Sequence, residues 1–89
     1  MMLAGDVLIL DVRERWEFDD GHIENAVLLP YNEIEERAEE VIESSSQIIL
    51  VYCRSGRRSA EAARMLSRLG FLYVYDFGGI LDWPYEIIR

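Results

Sequence analysis

Two short apolar runs, Val7-Leu8-Ile9-Leu10 and Ile48-Ile49-Leu50-Val51, constrain most strongly what this chain can fold into. The first is continuous rather than alternating. A strand with one wet face alternates apolar and polar residues, whereas a strand covered on both faces does not. It therefore reads as a strand of a parallel sheet. The second run is β-branched, continues to Tyr52 and reads as the central strand. Val27-Leu28-Leu29, stopped by Pro30, and Tyr73-Val74-Tyr75 add two more strands.

Helical patterns fall between them. Glu14 to Asp20 reads as a short helix with a glycine stop at Gly21. Asn32 to Glu43 reads as a helix capped by Asn32, with Glu35 at the capping-box spacing. Its apolar face holds Ile34, Ala38, Val41 and Ile42, and six glutamates cover the rest as a solvated side. Arg57 to Leu69 reads as a further helix, with Ala62, Ala63, Leu66 and Leu69 apolar and Gly70 just past its end. Phe77-Gly78-Gly79-Ile80 turns into a last helical piece with Leu81, Trp83 and Tyr85. Strands alternating with helices over short connections predict an α/β fold, a small parallel sheet flanked by helices.

Ligands of such sheets bind outside the carboxyl ends of the strands. Cys53, the only cysteine, stands at that end of the central strand. Strand, tight loop from Cys53 to Arg58, then helix: this order fans backbone N–H groups around one point and favours an anion there. Arg54, Arg57 and Arg58 add positive charge to a chain of net charge −8 that has nine arginines and no lysine. Crowded like charges are costly unless an anion sits among them. Cys53-Arg54-Ser55-Gly56-Arg57-Arg58-Ser59 is thus a candidate reactive-cysteine loop for a small anionic sulfur donor.

Composition limits the alternatives. Eighty-nine residues, 51% of them hydrophobic, suffice for one packed domain. The acidic charge excludes general affinity for nucleic acid and matches anionic membranes poorly. One cysteine excludes an internal disulfide and fits a reducing compartment, so the cytoplasm is expected. One His and one Cys cannot build a structural zinc site, and no cofactor is expected. No apolar run approaches the ~20 residues of a membrane helix.

Three stretches, in this order and spacing, resemble the rhodanese-like domain family. Asp11-Val12-Arg13, Glu17-Phe18, Gly21-His22-Ile23, Ala26 and Pro30 follow its N-terminal signature. The Cys53 to Ser59 loop is similar to the active-site loop of its single-domain members. Gly78-Gly79-Ile80 with Trp83 resembles its C-terminal signature. The resemblance implies a rhodanese fold and transfer of a sulfane sulfur through a persulfide. It makes Cys53 nucleophile and carrier, and has backbone amides from Arg54 to Ser59 cradle the sulfur, with the Ser59 hydroxyl as an extra donor. Thiosulfate is the donor it implies, its sulfonate held by Arg54, Arg57 and Arg58. The expected acceptor is cyanide, a small thiol or a thioredoxin-like protein thiol. Asp11 and Arg13 are expected to brace the strand end, and His22 to hydrogen-bond structurally.

Members usually carry a further segment ahead of the first signature, whereas ten residues precede Asp11 here. The expectation is one domain over residues 1–89 with a shortened N-terminus, or an open edge capped by a second copy in a homodimer. Two rivals remain. A rhodanese-like binding or sulfur-relay module would use the same loop without turnover. A cysteine phosphatase needs arginine six residues after the cysteine to clamp phosphate, and that residue is Ser59.

Overall fold

The computed structural model describes residues 7–82 and 87–88. Strand β1 (Val7–Asp11) is followed by helix α1 (Arg15–Asp20), then the short strands β2 (His22–Ile23) and β3 (Val27–Leu28). A 3-10 turn (Tyr31–Glu33) leads into α2 (Ile34–Val41). Next come β4 (Ile48–Cys53), α3 (Arg57–Arg68) and β5 (Tyr73–Gly79). A second 3-10 turn (Ile80–Asp82) and β6 (Ile87–Ile88) complete the described chain.

Four strands form a parallel sheet in the order β3-β1-β4-β5. The two continuous apolar runs are its two inner strands, as a doubly covered sheet requires. Leu10, Val12, Ile49 and Val51 pack beneath Ile34, Ala38, Ala62 and Leu66 of α2 and α3. On the opposite face Ile9 and Tyr52 meet Ile23, with Phe77, Ile80 and Ile87 around them. Burial deepens toward the carboxyl ends of β1 and β4, where Asp11 and Cys53 emerge. Each fully buried Leu or Ile contributes about 1.5–3 kcal/mol.

The structure differs from the sequence expectation in four places. Asn32 does not cap α2, because the chain is already wound there: the Tyr31 N–H donates to the Val12 carbonyl, and the Glu33 N–H closes a turn on Pro30. An N-cap needs extended backbone, which a residue inside a turn lacks. Leu69 closes α3 and is exposed, at a surface cleft beside Glu35, Met65 and Arg68. Gly78 and Gly79 continue β5 instead of turning out of it, and a bulge opposite Val51–Tyr52 absorbs the extra residue. The antiparallel pair of β2 with β6 is too short to leave a pattern in sequence. Trp83 and Tyr85 lie outside the described residues.

Candidate active site

The site begins with a buried ion pair. Asp11 closes β1 and is fully buried; Arg13 two residues on is nearly so. The Arg13 Nε and one terminal nitrogen donate to the two Asp11 carboxylate oxygens at 2.7–3.1 Å, and the Arg13 backbone N–H adds a third donor. The same terminal nitrogen donates to the Gly21 carbonyl. Tyr52 donates its hydroxyl to Asp11 at 2.6 Å and accepts the Ile23 N–H. Burial, then the Asp11 hydrogen bond, pushes the Tyr52 phenol well above its usual range. Burial draws the Arg13 guanidinium down, and Asp11 more than restores it. This network ties the ends of β1, α1 and β2 to Tyr52, the residue before the cysteine. His22 stands apart, stacked on Phe18 with its Nδ1 2.9 Å from the Phe18 carbonyl.

Cys53 is buried, at 1% exposure. The Gly56 N–H donates to its sulfur at 2.9 Å, and Ser59 Oγ lies 3.6 Å away. Burial pushes the thiol up. The Ser59 hydroxyl and the backbone N–H groups of Ser59, Gly56 and Ser55 together outweigh burial, and the net direction is down. The sulfur sits at the mouth of α3, whose positive N-terminus acts in the same sense.

Two glycines make the tight loop possible. Gly56 adopts a φ of +102°, which an L side chain resists. A Cβ on Gly79 would stand 2.3 Å from the Arg54 carbonyl oxygen and 2.6 Å from the Ser55 Cα. The end of β5 is therefore the floor on which the loop rests.

The three loop arginines have different surroundings. Arg58 makes a bidentate pair with Glu17 of α1 at 2.8 and 2.9 Å. That hydrogen-bonded pairing lowers the Glu17 carboxyl to about 2 and raises Arg58, to which the nearby Cys53 sulfur also contributes. Arg54 and Arg57 are exposed and make no ion pair among the described residues. They line a cleft of about 420 Å³ with Tyr31, Ser55, Arg58 and Glu61. Arg54 also borders a second cleft of about 300 Å³ beside Trp16, Glu17 and Leu81. No cluster of metal-ligating side chains occurs among the described residues.

Tyr52, Glu17 and Asp76 are the site's residues that sequence reasoning passed over. A buried tyrosine on a central strand needs a partner for its hydroxyl, and that was a usable signal for Tyr52. Glu17 stood out only as part of the family resemblance and Asp76 not at all, because their partners Arg58 and Ser59 are 41 and 17 positions away.

A family model for the rhodanese-like domain matches residues 1–85. Thiosulfate sulfurtransferase PspE of Escherichia coli is 32% identical over 73 residues, 82% of this chain and 70% of that protein. The putative sulfur carrier protein YrkF of Bacillus subtilis is 43% identical over 76 residues, 84% of this chain but only 40% of that protein. An E. coli rhodanese solved with anions superposes with a TM-score of 0.87 at 28% identity, covering 93% of this chain and 98% of the other. The chain belongs to the rhodanese-like domain family, and its α/β architecture is the rhodanese fold.

Proposed function

We propose that this rhodanese-like domain is a sulfurtransferase that moves the sulfane sulfur of thiosulfate to a thiophilic acceptor through a Cys53 persulfide. The observation that carries the reading is the sulfur itself, held 2.9 Å from the Gly56 N–H at the start of α3 with its pKa drawn down. The Cys53 thiolate attacks the outer sulfur of thiosulfate, forming a new S–S bond. The old S–S bond breaks, and sulfite leaves with its electron pair. The terminal sulfur of the persulfide is an anion, which the backbone N–H groups from Arg54 to Ser59 can cradle. A second nucleophile (cyanide, a small thiol or a thioredoxin-like protein thiol) takes that sulfur and restores the thiolate. Double displacement predicts ping-pong kinetics. The first step is written without a separate general base, because the lowered thiol pKa favours the attacking thiolate.

Arg54 and Arg57 are proposed to hold the sulfonate, since neither is engaged in an ion pair among the described residues. Arg58 contributes less to the donor, because Glu17 already takes both arms of its guanidinium. Ser55, Gly56 and Ser59 serve through backbone donors, and Asp11 and Arg13 hold the strand end. The work is assigned to one domain without a metal or cofactor, in a reducing compartment such as the cytoplasm.

Mass spectrometry after thiosulfate treatment tests this. An adduct of about 32 Da that disappears in Cys53→Ala supports the persulfide; no adduct on the wild type would sink the reading in favour of a binding role. YrkF's name, sulfur carrier, motivates a second reading in which the same persulfide passes only to a protein thiol. A stable adduct without thiocyanate formation selects it. Release of phosphate from p-nitrophenyl phosphate without thiocyanate would select the phosphatase.

A further inference from the structure

Ser59 has one hydroxyl proton and several claimants for it. It is fully buried in the first turn of α3. Its oxygen lies 3.0 Å from the Gly56 carbonyl, 3.3 Å from the Gly78 carbonyl and 2.6 Å from Asp76 Oδ1. A serine hydroxyl donates once and accepts through two lone pairs. Of the three oxygens, the carboxylate is the shortest contact and makes the charge-assisted bond, so it takes the proton. Asp76 is itself fixed: the same Oδ1 accepts the Gly78 N–H at 2.9 Å, across the β5 bulge. With its proton committed to Asp76, Ser59 turns lone pairs toward Cys53, 3.6 Å away, and the cysteine S–H is the donor in that contact.

We propose that Asp76 is a positioning residue for the nucleophile: by holding the Ser59 proton, its carboxylate makes the Ser59 oxygen an acceptor for the Cys53 thiol and so sets how readily that thiol ionises. Two influences then oppose each other at one sulfur. The Gly56 amide and the start of α3 favour the thiolate. Asp76 opposes them by withholding the Ser59 hydroxyl, which favours the thiolate only once it rotates from the carboxylate to the sulfur. The hydroxyl is thus a rotor between two acceptors, toward Asp76 when Cys53 is protonated and toward sulfur when it is ionised. The other charged groups of the site are Asp11 and Arg13, paired with each other at the end of β1, and Arg54, Arg57 and Arg58, with Glu17 of α1 neutralising Arg58. None of them reaches Ser59 by a hydrogen bond among the described contacts.

This proposal rests on Cys53 as the nucleophile, but it is tested by a readout that needs no sulfur donor. The pH profile of Cys53 alkylation by iodoacetamide is measured for the wild type, Asp76→Asn, Ser59→Ala and the double variant. Asn keeps an oxygen for the Gly78 N–H but holds the Ser59 proton less tightly. Hydrogen bonds to charged groups are worth enough that Asp76→Asn should speed alkylation at neutral pH about three- to tenfold. The profile should shift to lower pH, and the effect should vanish when Ser59 is Ala. An unmoved profile in Asp76→Asn overturns the proposal. So does an undiminished shift in the Ser59→Ala background, which would mean that the carboxylate acts through space and not through the hydroxyl. Ser59→Thr retains the hydroxyl and should retain the Asp76→Asn effect; it decides the matter should Ser59→Ala fail to fold. Loss of thiosulfate turnover with an intact alkylation cycle would count against the proposed reaction and leave the Asp76 assignment standing.

Discussion

At the scale of single residues, the site depends on which charges are engaged and which are free. Arg54→Ala and Arg57→Ala should each raise the KM for thiosulfate several-fold, about 1 kcal/mol of lost donor binding, with a smaller change in kcat. Steady-state kinetics over a range of thiosulfate checks this, and an unchanged KM in both would remove the arginines from the donor site. Arg13 answers to stability instead. Arg13→Ala leaves the Asp11 carboxylate buried without its ion-pair partner, a loss of about 3–5 kcal/mol, to be read from urea denaturation. Cys53 and its loop were legible in sequence because strand, turn and helix are contiguous there, and contiguous residues set the backbone fan of donors. The fates of Arg58 and Ser59 were not legible. Loop chemistry marked both as ligands for the donor, but Glu17 and Asp76 reach them from a distant helix and strand.

At the scale of elements, the Arg58–Glu17 pair joins α1 to α3 across the mouth of the sheet. The Glu17 carboxyl is depressed from 4.5 to about 2, chiefly by its hydrogen bond to Arg58. A depressed acid stabilises the fold above its unfolded pKa, and that stability drains away as pH falls through the folded value. The contribution, about 3 kcal/mol, should therefore be complete above about pH 5 and disappear progressively toward pH 2. Chemical denaturation of wild type and Glu17→Gln over that range measures it: the two stability curves should converge in acid, and a constant gap would refute the assignment. The loop's seat on β5 predicts a second result. Gly79→Ala drives a methyl into the Arg54 carbonyl, an overpacking cost of about 1–3 kcal/mol, and should displace the Gly56 N–H from the sulfur. Cys53 alkylation at neutral pH should slow even in protein that remains folded by circular dichroism. The strand and helix runs declared themselves through apolar periodicity; the entry to α2 did not, because Val12 and Pro30 dictate its winding from outside the helix.

At the scale of the molecule, β1 and β4 are interior and the sheet ends at β3 and β5. Tyr73 and Tyr75 of β5 are exposed, and an edge strand with aromatic side chains is a template for association. Homodimerisation through such an edge is therefore decided by sedimentation at high micromolar concentration. A monomeric mass there disposes of the dimer.

The contact of Gly79 with Arg54 and Ser55 also bears on synthesis. Chains grow from the N-terminus at about 5–20 residues per second, so Cys53 and its arginines leave the ribosome before the strand they rest on. Until β5 docks, the loop has no floor and Ser59 has no Asp76. A nascent chain is then expected to carry an ordinary thiol, and the Gly56 N–H is expected to reach the sulfur only when the sheet is complete. A released chain ending at Leu72 should be alkylated at the pace of a free cysteine, and a pace already matching the finished protein would show that the loop arms itself.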